Sequence, residues 1–292
     1  MNLQNIEFKM KFGIYEKAIN NKFSWEEKIL IAKNAGFDYI EISIDESDEK
    51  LSRLDWDEHQ INGLLLLLKK HGMYFQSMCL SGHRKFPFGS LDSSTRARAY
   101  EIIDKAIKLA VKLNIRIIQL AGYDVYYEKS NAETVHNFIQ GLKYASSVAS
   151  LNSIMLAFEV MDTPFMGTIE KAKQYVDLIN SPWLQIYPDI GNLSQFSEKP
   201  ENEIVHNIGN IVAFHVKEAI KTKMRDIPFG EGNVNFVSIF KAILSTNYSG
   251  PFMIEMWSLN NENETIEQNV CELVKAKDFV VNEFKKAGYK NV

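Results

Sequence analysis

Short apolar runs rich in Ile, Phe, Tyr and Val alternate with amphipathic stretches along all 292 residues of the chain. Few of these runs show the strict apolar–polar alternation of a strand with one face in water, so they are expected to be covered on both faces. Eight strands are predicted, at residues 11–15, 39–44, 74–80, 115–121, 154–160, 184–189, 212–216 and 252–257. Eight buried strands with helices between them predict a (β/α)₈ TIM barrel.

The segments between the runs carry signals for the starts and ends of helices. Ser24 and Glu27 have the spacing of a capping box, in which each side chain satisfies a terminal amide near the other. Glycine and asparagine favour the left-handed turn that ends a helix. Four such residues precede predicted strands by a few positions: Gly36, Gly72, Asn114 and Asn152. The stretch 262–286 is expected to be the last helix.

The chain shows no linker and no shift in composition, so one barrel domain over residues 1–292 is expected. An open, doubly wound sheet is the alternative architecture. It usually has fewer strands, and no Gly-x-Gly-x-x-Gly follows the first predicted strand here.

Charge and hydropathy limit the partners of the chain. The net charge is −4 without a basic cluster, which argues against nucleic acid as the main partner. The densest apolar run, residues 64–68, is far shorter than a membrane span, and the amino terminus lacks the apolar core of a signal peptide. A cytoplasmic protein is therefore expected. Cys79 and Cys271 do not make a disulfide framework and are expected to be buried free thiols.

Four polar residues stand at or near the ends of the last four predicted strands: Glu159, Asp189, His215 and Glu255. Active sites of TIM barrels lie at the carboxyl ends of the strands, and neighbouring strands bring these ends to one rim. Buried charges without a cation would cost much free energy. Oxygen ligands with one imidazole suit Mn²⁺, Zn²⁺ or Co²⁺, and the lack of a thiolate argues against a closed structural zinc site. The sequence therefore predicts a divalent-metal site.

Two loops at the same rim are candidates for substrate contacts. The loop at residues 81–89 is polar and partly basic. The loop at residues 225–232 carries a cation and glycines, in a region where TIM barrels often bind phosphate. The candidate substrate-binding residues are His83, Arg84, Lys85, Glu218, Arg225, Gly230 and Gly232. Either loop could instead be a simple turn, and Glu41 could bind a sugar hydroxyl or make an interior contact.

Five segments together resemble the L-ribulose-5-phosphate 3-epimerase (L-xylulose-5-phosphate 3-epimerase) family of the xylose-isomerase-like TIM barrels. They are Phe158-Glu159-Val160-Met161-Asp162, Pro188-Asp189-Ile190-Gly191-Asn192, His215-Val216-Lys217-Glu218, Pro228-Phe229-Gly230-Glu231-Gly232 and Ile254-Glu255-Met256-Trp257. The loop at residues 79–90 also matches and is the most family-specific piece. The resemblance covers essentially the whole chain.

The resemblance implies one divalent metal ion (Zn, Mn or Co), bound by the four strand-end residues, with Glu159 and Glu255 also acting as the catalytic acid/base pair. It implies a sugar-phosphate substrate, with L-xylulose 5-phosphate and L-ribulose 5-phosphate interconverted through an enediolate, and by analogy a homodimer. Related epimerases of unphosphorylated ketoses carry a histidine where this chain has Asn192. This departure fits the sugar-phosphate branch.

Three other functions are alternatives, of which the second fits the pattern poorly. An aldose–ketose isomerase, or an epimerase of another ketose or sugar phosphate, would use the same scaffold, and such isomerases often shift a hydride. An abasic-site endonuclease needs several more histidine ligands, and the chain has six histidines in all. A non-catalytic sugar-phosphate-binding module would not need two carboxylates on one metal ion. Solvent deuterium incorporation, metal analysis and a turnover assay distinguish these functions.

Overall fold

The computed structural model describes residues 10–290, which contain one eight-stranded parallel sheet. The strands are β1 (Phe12–Tyr15), β2 (Tyr39–Ile44), β3 (Phe75–Leu80), β4 (Ile117–Leu120), β5 (Met155–Glu159), β6 (Leu184–Tyr187), β7 (Phe214–Val216) and β8 (Phe252–Ile254). They pair in the order β6-β5-β4-β3-β2-β1-β8-β7. Parallel bridges Ile186–Ile211 and Asp189–His215 join the β6 and β7 segments. This arrangement confirms the predicted TIM barrel. The ends of the expected domain, residues 1–9 and 291–292, lie outside the described residues.

Helices follow the strands. They are α1 (Trp25–Asn34), α2 (Asp48–Ser52), α3 (Glu58–His71), α4 (Ser93–Lys112), α5 (Ala132–Asn152), α6 (Ile169–Ile179), α7 (Ile190–Phe196), α8 (Pro200–Asn207), α9 (Phe236–Ser245) and α10 (Ile266–Lys286). Two α-helices follow β2 and two follow β6, so these units are longer than simple strand–helix pairs. Each helix within residues 10–290 is too short or too polar to span a membrane.

The two cysteines are free thiols, as expected. Cys79 is buried, but the expectation of a buried thiol was wrong for Cys271, which lies on the exposed face of α10.

Helix ends largely follow the local sequence. Ser24 and Glu27 form the predicted capping box at the start of α1. Gly36, Gly72 and Asn114 have φ angles of 78°, 66° and 58°, which is the left-handed conformation expected of them. The prediction was wrong at Asn152, because this residue ends α5 and the next residue, Ser153, adopts the left-handed turn with φ of 56°.

The barrel interior changes from apolar to polar along the strands. An apolar layer lies towards the amino ends, formed by Tyr39, Ile117, Ala157, Tyr187, Ala213 and Met253. Gly13 leaves room for this layer, since a Cβ there would lie 2.1 Å from the Tyr39 ring. Side chains two residues apart share one face of a strand. The next inward positions on the same six strand segments are therefore the polar residues Glu41, Gln119, Glu159, Asp189, His215 and Glu255.

A buried ionic cluster fixes the loops that follow β1 and β2. The Glu16 carboxylate accepts hydrogen bonds from Arg53 at 2.6 and 2.8 Å, from Lys50 at 2.8 Å and from Lys28 at 3.2 Å. The Ser43 amide donates to the same carboxylate at 2.9 Å. Although burial disfavours its charge, the surrounding cations hold the pKa of Glu16 well below its usual value. The cluster therefore depends on an ionised Glu16.

Replacing Glu16 with glutamine is expected to lower the free energy of unfolding by about 3–5 kcal/mol, because it leaves buried cations without their counter-charge. Urea denaturation at pH 7 measures the change. The folded-state pKa is depressed, so the contribution of Glu16 is full above the unfolded pKa of about 4.3 and declines as the pH falls below it. The difference between wild type and Glu16→Gln should therefore shrink at acid pH.

The matched control is Glu49→Gln, since Glu49 is exposed and lies 3.8 Å from Lys50 and 4.0 Å from Arg53. Exposed ion pairs of this kind contribute about 0–1 kcal/mol. Equal effects of the two substitutions would contradict the role given to Glu16.

Candidate metal centre

Four side chains from the carboxyl ends of the last strands converge inside the mouth of the barrel. Glu159 ends β5, Asp189 follows β6, His215 lies in β7 and Glu255 follows β8. One ligand atom of each residue lies within 4.8 Å of those of the other three, and all four residues are buried. The structure thus brings together the four residues that the sequence predicts for a metal site.

The imidazole of His215 points one nitrogen into this cluster and the other into the barrel. Its Nδ1 atom lies 3.2 Å from Glu255 Oε2 and 4.0 Å from the nearest carboxylate oxygens of Glu159 and Asp189. Its Nε2 atom lies 2.7 Å from Oε1 of Glu41. Glu41 is fully buried, so it makes the interior contact that was one of its two expected roles.

A buried lysine lies beside the carboxylates. Lys217 Nζ is 3.0 Å from Asp189 Oδ2 and 3.6 Å from Glu255 Oε2, and it donates a hydrogen bond to Asn192 Oδ1 at 3.0 Å. The Lys217 ammonium and a protonated His215 supply two positive charges beside three carboxylates, so they do not balance the charge of the cluster. The cluster therefore has room for further positive charge.

The titration of the carboxylates reflects this crowding. Burial, reinforced by the nearby charge of Glu255, raises the pKa of Glu159 to about 8. Burial also raises the pKa of Asp189 to about 7. Glu255 shifts the other way: although burial disfavours its charge, Lys217 and His215 hold its pKa below the usual value. Close carboxylates resist simultaneous ionisation, and a bound cation would relieve that repulsion.

The donor set fits a divalent ion. Asp189 Oδ2 is buried and accepts no hydrogen bond from the described residues, although Lys217 Nζ lies 3.0 Å away. A buried carboxylate oxygen that has an ion-pair partner but accepts no hydrogen bond can still accept a further cation. Three carboxylates and one imidazole are ligands that suit Mn²⁺, Zn²⁺ or Co²⁺. Glu159, Asp189, His215 and Glu255 can therefore hold one such ion.

Two of the predicted substrate-binding residues border the same small cavity as Glu159 and Glu255: Arg84 and Arg225. The Nε atom of Arg84 is buried and donates to no acceptor among residues 10–290. Arg225 lies with its guanidinium 3.4 Å from Asp162 Oδ2 and 5.8 Å from the centre of the Trp257 ring. These cations make the rim of the cavity attractive to an anion.

Two other predicted substrate contacts lie away from the cavity. His83 Nε2 is within hydrogen-bond distance of the Ala99 carbonyl, at 3.2 Å, and burial lowers the pKa of His83 to about 4. Lys85 is exposed, and its ammonium lies 5.4 Å from the centre of the Phe86 ring. The sequence predicted that both side chains contact the substrate, but neither borders the cavity. The Ala99 carbonyl of α4 binds His83, and the Phe86 ring lies against Lys85.

Glu218, Gly230 and Gly232 hold the loop after β7 together. The buried Glu218 carboxylate accepts hydrogen bonds from the amides of Gly230 at 3.1 Å and Val234 at 3.3 Å. A Cβ at Gly232 would lie 2.1 Å from Glu218 Oε1, so a larger residue there would displace the Glu218 carboxylate. The Gly230 amide is therefore already bound to Glu218. This corrects the expectation that it offers a free donor to phosphate.

Sequence reasoning assigned no role to three further residues at the site: Tyr15, Lys217 and Trp257. All three border the cavity. Trp257 packs edge-on against Tyr15 with ring centres 6.3 Å apart, and Lys217 Nζ lies 5.6 Å from the Trp257 ring centre. The sequence could have indicated them, because they lie at or just beyond the ends of predicted strands, as the four candidate ligands do.

A second, larger cavity of about 380 Å³ is also bordered by Trp257. It shares Lys217, Glu255 and Trp257 with the small cavity but is mostly apolar. The candidate ligand Glu159 borders the smaller cavity and not the larger one. The smaller cavity is therefore the candidate active site.

A closed parallel barrel with a cluster of candidate ligands at its carboxyl rim defines the class of xylose isomerase-like barrels. The family model described as xylose isomerase-like TIM barrel matches residues 29–275 of this chain. L-ribulose-5-phosphate 3-epimerase UlaE of Shigella boydii serotype 18 is 47% identical over 276 residues, which cover 94% of this chain and 95% of that protein. The chain belongs to the L-ribulose-5-phosphate 3-epimerase family within the xylose isomerase-like TIM barrels, and it is an enzyme of the isomerase class. The resemblance seen in the sequence is thereby confirmed.

Solved structures share the fold at low sequence identity. An L-ribulose 3-epimerase has a TM-score of 0.78 and 18% identity, with 95% of each chain covered. The IOLI protein with a bound zinc atom has a TM-score of 0.74 and 16% identity, with 94% of this chain and 99% of that chain covered. At these identities, the similarity concerns the fold alone.

Proposed function

We propose that this protein is a metal-dependent 3-epimerase that interconverts L-xylulose 5-phosphate and L-ribulose 5-phosphate. The observation that carries the proposal is the convergence of Glu159, Asp189, His215 and Glu255 within 4.8 Å. The substrate and the reaction class are supported by similarity to an L-ribulose-5-phosphate 3-epimerase that is 47% identical over 94% of the chain.

The proposed metal ligands are Glu159, Asp189, Glu255 and the Nδ1 atom of His215. When bound, a divalent ion of Zn, Mn or Co supplies Lewis-acid polarisation of a substrate carbonyl. Lys217 lies beside Asp189 and Glu255, so its ammonium restricts the positions of both carboxylates. These contacts support a site that is arranged before substrate arrives.

The proposed acid/base pair is Glu159 and Glu255. Inversion at C3 requires one group to remove the proton and another to return a proton to the opposite face, because a single base would tend to restore the original centre. Loss of the proton gives an enediolate with a planar C3, and a carboxyl group can deliver the new proton. Glu159 ends β5 and Glu255 follows β8, so the two carboxylates reach the cavity from different sides of the barrel.

The proposed phosphate contacts are Arg84 and Arg225. Both border the cavity that Glu159 and Glu255 also border, and the Nε atom of Arg84 has no acceptor within the described part of the chain. Guanidinium groups bind phosphate oxygens through charge-assisted hydrogen bonds. The carbon chain of a pentulose would then lie between the arginines and the acid/base pair.

Replacing Arg225 with methionine is expected to lower kcat/KM for L-ribulose 5-phosphate about 10–100-fold, since a hydrogen bond to a charged group contributes about 1.5–3 kcal/mol. The loss should appear mainly in KM. The control is Lys221→Met, which removes a charge from an exposed residue of the same loop. Equal losses in the two variants, or an equal loss with the unphosphorylated ketose, would contradict a phosphate contact at Arg225.

Incubation with a small panel of pentulose 5-phosphates tests the function directly. Nuclear magnetic resonance of the products should show L-xylulose 5-phosphate and L-ribulose 5-phosphate converted into each other, with faster turnover than the unphosphorylated sugars. Formation of an aldose phosphate would instead favour an aldose–ketose isomerase. Binding without turnover would favour a sugar-phosphate-binding module.

The homodimer, the cytoplasmic location and the single domain over residues 1–292 stay predictions. They are supported by the resemblance to the family and by the continuous strand–helix pattern of the chain.

A further inference from the structure

Glu41 reaches the inside of the barrel next to an irregularity in the sheet. The pairing of β2 with β3 changes register between Ile40 and Glu41, so that Ile40 pairs with Phe75 and Glu41 pairs with Ser77. Gln76 is the extra residue of this bulge. Because of the bulge, Ser77 lies opposite Glu41 and contacts it in the barrel interior.

The two carboxylate oxygens of Glu41 have different partners. Oε2 accepts hydrogen bonds from the hydroxyl groups of Ser77 at 2.6 Å and Tyr187 at 3.2 Å. Oε1 lies 2.7 Å from Nε2 of His215. All four residues are fully buried or nearly so. Hydroxyl donors therefore fix the carboxylate from one side and leave the other oxygen facing the imidazole.

We propose that Glu41 is a positioning residue that keeps the ring proton of His215 on Nε2 and thereby leaves Nδ1 free to bind the metal ion. Both ring nitrogens face a carboxylate, Nδ1 at 3.2 Å from Glu255 and Nε2 at 2.7 Å from Glu41. A metal ion bound by Nδ1 takes the place of a proton there, so the remaining ring proton must be on Nε2, where Glu41 can only accept. The amide nitrogen of Gln119 lies 3.2 Å from Nε2 and 3.3 Å from Nδ1, so it does not favour either nitrogen. Nδ1 is the nitrogen that faces Glu159, Asp189 and Glu255. Such partners orient histidine ligands and raise their basicity. The inference rests on the metal site of the proposed function, and not on the identity of the sugar.

An amide at position 41 would reverse this arrangement. The hydroxyl groups of Ser77 and Tyr187 donate at the Oε2 position, so the carbonyl oxygen of a glutamine would be held there. Its NH₂ group would then face His215 Nε2 as a donor. Nε2 would have to accept and the ring proton would move to Nδ1. The atom that faces the cluster would then have to lose this proton before it could bind a metal ion, which weakens the binding.

The test compares wild type with Glu41→Gln, which changes the donor pattern but hardly changes the volume. Zn²⁺ affinity, measured by competition with a chromophoric chelator, is expected to fall about 10–100-fold. The matched control is Glu203→Gln, which removes a buried carboxylate on α8 that accepts from Ser197 and the Glu170 amide. This control should bind Zn²⁺ with the wild-type affinity.

Long-range ¹H–¹⁵N spectra of the zinc-loaded wild type provide a second readout that needs no variant. They should show the His215 proton on Nε2. A proton on Nδ1, or an unchanged Zn²⁺ affinity in folded Glu41→Gln, would overturn the inference while leaving the proposed reaction intact. Failure of the wild type to bind Zn²⁺, Mn²⁺ or Co²⁺ would instead refute the metal site, and this inference with it.

Discussion

Replacing either Glu159 or Glu255 with glutamine is expected to lower kcat for L-ribulose 5-phosphate about 10²–10⁴-fold, the usual contribution of a general acid or base. An amide cannot take up or release the C3 proton. Both residues are also candidate ligands, since one oxygen of each lies within 4.8 Å of the other ligand atoms. Turnover should therefore be measured together with the metal content of the same samples.

The matched control is Glu272→Gln, because Glu272 borders the neighbouring apolar cavity and not the small one. Its kcat is expected to stay within about twofold of wild type, because substitutions of exposed residues outside the active site usually have small effects. If Glu159→Gln or Glu255→Gln kept more than a tenth of the wild-type kcat at full metal content, that residue would not belong to the acid/base pair.

Removing divalent ions with a chelator is expected to abolish turnover and to lower Tm. Without the ion, the buried carboxylates of Glu159, Asp189 and Glu255 have Lys217 and His215 as their cationic partners. An ion that binds only the folded state, and whose free concentration is 1,000 times its Kd, stabilises that state by about 4 kcal/mol. Calorimetry and turnover assays before and after chelation measure the two effects.

Separate return of Zn²⁺, Mn²⁺ and Co²⁺ should restore both turnover and Tm, and it identifies which ion supports the faster reaction. Mg²⁺ is a useful control, because it prefers an all-oxygen octahedral environment to a site with an imidazole. Full activity and an unchanged Tm after complete removal of metal ions would contradict the proposed metal site.

The candidate metal site could be predicted from the sequence because the ligands follow a simple geometric rule. Ala157 and Met253 face the barrel interior, so the residues two positions further on, Glu159 and Glu255, face it too. The carboxyl ends of parallel strands then meet at one rim. The strand count, and hence the barrel, followed from the same runs of apolar residues.

Other features depended on contacts between distant segments. The contact between Ser77 and Glu41 depends on the bulge at Gln76, which leaves no mark in the apolar pattern of β3. His83 and Lys85 lie in the loop that best matched the family, yet whether a loop side chain faces a cavity is decided by packing against α4 and Phe86. The left-handed turn fell on Ser153 and not on Asn152, a difference of one residue within the normal uncertainty of helix ends.

Epimerisation through proton exchange at C3 is tested most directly by running the reaction in deuterated water. Mass spectrometry and nuclear magnetic resonance should show one deuterium at C3 of the product from L-xylulose 5-phosphate, and none when both glutamates are replaced. Product that carries the original hydrogen, or deuterium at C1 in place of C3, would show that the two carboxylates do not exchange the C3 proton.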